Sequence, residues 1–219
     1  MRYLYMLPAA FLVPVIHEWV KAVASTAQGD PTPRSTGHLT LNPLKYFEPI
    51  GFVFMLIFAV GWGNPTPTAA LHYKNRQRGV VITYMTPVLV TLLLGMGAVM
   101  GVNVMLSRAM GFPVPYAVLF FHLLPYAQWT TNLYDIAIIL LAHFAYMSIC
   151  VALFNLIPVY PMAANKLLLT FSRPDTIARV THYEKPMQII LILLLFFWFV
   201  MRVIHPITVW LIRFAWGLV

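Results

Sequence analysis

The apolar positions of this chain fall into long runs separated by short polar or turn-forming stretches, not into the alternation of a half-buried surface. About 20 apolar residues in a helix cross the hydrocarbon core of a bilayer. On that measure residues 3–27, 80–106, 134–156 and 187–203 are predicted membrane-crossing helices. Residues 50–60 are apolar but short, and they end in Gly61-Trp62-Gly63-Asn64-Pro65-Thr66-Pro67. That pattern fits a re-entrant segment, a tight turn, or a span completed by its flanks. His205-Pro206 reads as a break, leaving residues 207–219 as a short terminal helix.

Residues 28–49 are polar and rich in turn formers, with Gly29-Asp30-Pro31-Thr32-Pro33 followed by Gly37-His38-Leu39-Thr40-Leu41-Asn42-Pro43. Irregular backbone of this kind cannot face lipid, because its N–H and C=O groups would have no partners. It belongs at the surface or packed inside the protein. Within it His38-Leu39-Thr40-Leu41 alternates like a short strand.

Composition agrees with the bilayer reading. Of 219 residues 61% are hydrophobic and 9% charged, against about 25% charged in soluble domains. The length suits one membrane domain covering residues 1–219. The run from Met1-Arg2 into the first apolar segment resembles a signal peptide, but no small-x-small site closes it, so it is read as a retained span.

The 14 basic residues outnumber the 6 acidic ones, giving +8. They lie between apolar runs, which makes them topology signals and contacts for anionic membrane lipids rather than a nucleic-acid surface. Two clusters stand out: Lys74, Arg76 and Arg78, and then Lys166, Arg173, Arg179 and Lys185. Both fall on the cytoplasmic side if residues 80–106 and 134–156 form an antiparallel pair, which puts the loop at 111–132 outside. Trp62, Trp129, Trp198, Trp210 and Trp216 sit near predicted span ends, as an interfacial aromatic belt would. The lone Cys150 reads as a small buried hydrophobe. No heme, nucleotide or quinone signature is present.

His17 and Glu18 lie inside the first apolar helix, where ionisable groups are costly and mark a functional site by default. In helical zinc proteases, His-Glu-x-x-His puts two imidazoles one turn apart on the metal, with the glutamate as base. Here the run is His17-Glu18-Trp19-Val20-Lys21. It is followed by the Gly29–Pro33 turn, the Gly37–Leu44 stretch, Glu48-Pro49-Ile50-Gly51, the Gly61–Pro67 segment, Asn75-Arg76-Gln77-Arg78-Gly79 and Phe154-Asn155-Leu156-Ile157-Pro158-Val159-Tyr160-Pro161. Together these resemble the bacterial site-2 protease family, intramembrane zinc metalloproteases, over nearly the whole chain.

The resemblance implies an all-α membrane bundle of about five or six spans, with a small strand-containing segment near the membrane after the first helix. It also shows departures. Lys21 stands where the family has its second zinc histidine. The family's Pro-Leu-Asp-Gly reads Pro161-Met162-Ala163-Ala164, so the zinc aspartate is Ala163 and the glycine after it Ala164. The family's Gly-Pro-x-x-Asn reads Thr86-Pro87-Val88-Leu89-Val90, with Val90 at the substrate-holding asparagine. His17 and Glu18 are the vestiges of the catalytic set, and catalytic zinc usually needs three protein ligands. His143 lies about 18 Å along its helix from the aspartate region, and His122, His182 and His205 fall in loops or at span ends.

No metal or other cofactor is therefore expected. Binding or structural roles fall to Lys21, Asn155 and Pro158. Lys21 either pairs internally with Glu18 or snorkels to the interface. The resemblance implies a pseudoprotease that binds transmembrane helices of a partner or serves as an accessory subunit of a membrane complex, in a bacterial cytoplasmic membrane or an organelle membrane of bacterial descent. An active protease with unorthodox ligands is the alternative. A transporter on the same scaffold is disfavoured by how few charges line the spans.

Overall fold

The computed structural model describes residues 2–115, 132–196 and 199–219. These form ten α-helices: α1 (Arg2–Ala27), α2 (Thr32–Ser35), α3 (Pro43–Tyr46), α4 (Pro49–Phe58), α5 (Arg76–Met110), α6 (Leu133–Phe154), α7 (Ala163–Thr170), α8 (Pro174–His182), α9 (Glu184–Phe196) and α10 (Phe199–Trp216). Polar residues set the starts. Asn75 accepts from Arg78 N at 3.0 Å to open α5, and Asn132 accepts from Tyr134 N at 3.0 Å to open α6. Gly111, at φ +74°, closes α5 in the left-handed conformation.

Among the described residues three helices are long and apolar enough to cross a membrane: Leu4–Ala27 within α1, α5 and α6. At 35 residues α5 is about 52 Å long, more than the hydrocarbon core needs. The chain is an all-helical membrane protein. The count of five or six spans is not met among the described residues. Helix α4 has 10 residues, about 15 Å, and α9 has 13. Helix α10 has 18 residues but contains Arg202, His205 and Arg213. It also runs unbroken through His205-Pro206. Pro206 lacks the N–H that would bond to Arg202 O, but the helix is packed on both sides of the proline and continues.

The expected strand at His38–Leu41 is also absent, and no strand occurs among the described residues. Its carbonyls find a side chain instead of a neighbouring strand. The Tyr46 hydroxyl donates to His38 O and, at 3.1 Å, to Thr40 O. Burial and the Glu18 charge push that phenol up to about 12, which keeps it a donor.

The spans pack as one body. Helices α5 and α6 are antiparallel: the Tyr134 hydroxyl donates to Met105 O at 2.8 Å at one end, while Val88 meets Ala152 and Ala163 toward the other. Close approach is allowed by Gly95, where an added Cβ would lie 2.8 Å from Ile149 Cγ1. Helix α1 lies across both, with Val13 and Ala10 beside Met147 and Val151. Its end adjoins the start of α5, where Lys74 N donates to Gln28 O at 3.2 Å. Lys74, Arg76 and Arg78 therefore lie at this end of the bundle, the end toward which Ala163 of α7 also packs. The loop at 111–132 falls mostly outside the described residues. Trp62 and Trp216 are each 8% exposed, so they are core residues and not part of a belt; Trp210 is exposed, and Trp129 and Trp198 lie outside the described residues.

Between α4 and α5 the chain turns back onto α1. Ala59, at φ +58°, ends α4. Gly61 and Gly51 then touch: a Cβ on Gly61 would lie 2.2 Å from Gly51 O, and one on Gly51 would lie 2.0 Å from Trp62 O. This return places residues 62–66 against the buried charged groups of α1.

Candidate functional site

His17, Glu18 and Lys21 are 3%, 6% and 7% exposed, and they sit on one face of α1. The Lys21 ammonium donates to both Glu18 oxygens at 2.7 Å. Thr66 N donates to Glu18 Oε2 at 2.6 Å, and Thr66 Oγ1 donates to Glu18 O at 3.0 Å. The ammonium also lies 5.6 Å from the centre of the Tyr84 ring. One fixed donor, Thr66 N, and a cationic partner thus hold a buried carboxylate. His17 Nδ1 is 3.1 Å from Thr91 Oγ1 on α5. That threonine follows directly after Val90.

His17, Glu18 and Lys21 line a cavity of about 20 Å³, room for one or two waters, together with Pro14, Met55, Trp62, Asn155 and Met162. The resemblance's landmarks from distant parts of the chain therefore converge. Asn155 reaches the cavity while its Nδ2 donates to Val151 O at 3.0 Å and its carbonyl accepts from Ala164 N at 3.0 Å. Pro158 is exposed and does not line the cavity; Pro161 does. Ala163 is buried beside Val88 and Ala152. His143 is elsewhere, buried in mid-α6 with Nδ1 2.8 Å from Ile139 O. Thr66, Thr91 and Tyr84 did not stand out in the sequence. The signal for Thr91 is a hydroxyl within an apolar span, and for Thr66 its place in the Pro-flanked return.

The return is pinned by Asp30, the aspartate of the Gly29–Pro33 turn, which is 1% exposed. It accepts from Ser25 Oγ at 2.8 Å, Ala69 N at 2.8 Å, and Thr32 N and Oγ1 at 2.9 and 2.5 Å. Burial raises its carboxyl, but these hydrogen bonds outweigh it and hold the group below the ordinary carboxylate range. Asp30 thereby joins the end of α1 to residue 69 and fixes the peptide that presents Thr66 to Glu18.

The donor set does not fit a catalytic zinc. Such a site takes three protein ligands and keeps one open position. Here His17 is the one imidazole among the residues lining the cavity, both Glu18 oxygens are occupied by Lys21, and a lysine ammonium has no lone pair to give. No group of three His, Cys, Asp or Glu with metal-holding geometry occurs among the described residues.

No family model matches the chain, and no solved structure does. A relative named "Putative zinc metalloprotease YwhC" from Bacillus subtilis (strain 168) is 26% identical over 170 residues, which is 77% of this chain and 69% of the relative. The chain is thus a membrane protein, helical throughout its described elements, that is similar in sequence to the bacterial protein named "Putative zinc metalloprotease YwhC".

Proposed function

We propose that this chain is a degenerate site-2-protease-like protein that no longer cleaves peptides and serves as a binding or accessory subunit of a membrane protein complex. One observation carries the reading: the Lys21 ammonium bridges both oxygens of Glu18, at the helix position where the family has its second metal histidine. A metal-dependent base needs a free carboxylate facing a metal-bound water. Glu18 is instead a buried counter-ion, and His17 is a hydrogen-bonded packing residue. The cavity beside these groups is about 20 Å³. What remains for the protein to offer is its surface to transmembrane helices of other proteins. The bacterial relative supports a bacterial cytoplasmic membrane, or an organelle membrane of bacterial descent, as its place.

The test is proteolysis by the purified protein in detergent with added zinc, using a fluorogenic transmembrane peptide, beside the Glu18→Gln variant. The reading gives equal, background-level release from both proteins. Zinc-dependent release that Glu18→Gln abolishes would establish the alternative, an active protease with unorthodox ligands.

A further inference from the structure

Helix α10 carries polar groups where lipid would be expected. It runs antiparallel to α6 along that span's length. Its Val200, Met201 and Ile204 pack with Phe154 at the end of α6. Its Ile212 and Ala215 pack with Ile138 near the start of α6 and with Val102 and Leu106 of α5. Cross-links repeat the same order. Thr208 Oγ1 lies 3.6 Å from Cys150 Sγ, and Asn103 Nδ2 donates to Trp216 O at 3.0 Å. Because α5 and α6 cross the bilayer, α10 lies at their depth.

Arg202 and His205 are both exposed on this helix. Spaced three residues apart, they are neighbours on one side of it. His205 Nδ1 is 2.9 Å from the Tyr146 hydroxyl of α6. Its Nε2 and the Arg202 guanidinium have no partner among the described residues. Tyr146 lies eight residues before the end of α6, about 12 Å into the span. The imidazole is therefore too deep for a headgroup, although an arginine one turn nearer the helix start could reach one. Ionisable groups at such depth sit against a protein partner or a wet cavity, and this face is uncovered among the described residues.

We propose that the Arg202–His205 face of α10 docks a transmembrane helix of another protein that carries a carboxylate at matching depth. A second copy of this chain cannot supply that carboxylate. Of its six acidic residues, Glu18 and Asp30 are buried and bonded. Glu48 caps α4, and Asp135, Asp175 and Glu184 lie in the first turns of α6, α8 and α9. None is exposed at the depth of Tyr146. This face is separate from the Glu18 cavity, and the inference holds whether or not that cavity binds metal.

The experiment reconstitutes donor-labelled full-length chain in phosphatidylcholine vesicles with acceptor-labelled Leu-rich transmembrane peptides. The peptides differ only in one residue at the depth of His205, Glu or Leu. Energy transfer should show at least threefold tighter association with the Glu peptide, consistent with the size of interhelical polar contacts in membranes. Arg202→Leu should remove the preference and Arg202→Lys should keep most of it. Equal association of the two peptides would overturn the proposal, as would a preference that survives Arg202→Leu. Self-association between differently labelled copies that Arg202→Leu abolishes would assign the face to a second copy, and an Arg202 effect confined to phosphatidylglycerol vesicles would assign it to lipid; either result overturns it.

Discussion

A carboxylate within a membrane helix is tolerated only when strong donors replace water. Glu18 has the two 2.7 Å contacts from Lys21 and the 2.6 Å contact from Thr66 N. Removing one member of a buried pair strands the other, at a cost of about 3–5 kcal/mol. Lys21→Met should therefore lower the thermal midpoint in detergent far more than Arg202→Met, since Arg202 has no ion pair among the described residues. The double variant Glu18→Leu/Lys21→Met should recover most of the loss, because it leaves no unpaired charge. Equal midpoints for Lys21→Met and Arg202→Met would contradict the pair's role.

Asp30 makes the complementary case at the membrane surface. Its carboxyl is held below the ordinary value of 3.8 in the folded protein. Protons thus bind the unfolded chain more readily, and the stabilisation is complete above the ordinary value. It is lost as pH falls through that value toward the lower folded one. The thermal midpoint should fall as pH is taken from about 6 to about 3. Asp30→Asn should start lower and fall less steeply over that range. Parallel slopes for the two proteins would show that Asp30 does not carry this dependence.

At the scale of elements, the return from α4 onto α1 depends on two glycines in contact. A Cβ on Gly61 would lie 2.2 Å from Gly51 O and 2.7 Å from Met55 Cγ. Gly61→Ala must push α4 away from residues 61–66 and loosen Thr66 from Glu18. The expected cost is about 1–3 kcal/mol, as for overpacking elsewhere, read as a lower midpoint. Gly97→Ala, where an added Cβ meets nothing within 4 Å, is the control and should be neutral or slightly stabilising. Elements also mark where sequence reasoning stopped. The long apolar runs gave α1, α5 and α6 because length and hydropathy alone define such helices. Alternation at His38–Leu41 suggested a strand, but a strand needs a neighbour, and the Tyr46 hydroxyl took its carbonyls first. Pro206 looked like a stop, but a proline's local cost is overridden when the helix is packed on both sides of it.

For the whole molecule, the antiparallel pairing of α5 and α6 agrees with the charge pattern and puts Lys74, Arg76 and Arg78 at one end of that pair. The number of crossings was not legible, because residues 184–216 place α9 and α10 among arginines, a histidine and a proline that single-segment hydropathy does not resolve. The candidate site was partly legible. His17, Glu18 and Lys21 could be read from three positions on one helix, but their partners Thr66, Thr91 and Tyr84 come from a turn and a second span whose approach only the fold defines. The central claim is that a Glu–Lys ion pair occupies the place of a metal centre. It is tested most directly by elemental analysis of zinc in the full-length protein, purified in mild detergent without chelators and then equilibrated with a small excess of zinc and desalted. The Glu18–Lys21 pair predicts well under 0.1 zinc per chain, unchanged by His17→Ala. About one zinc per chain, lost in His17→Ala, would contradict it.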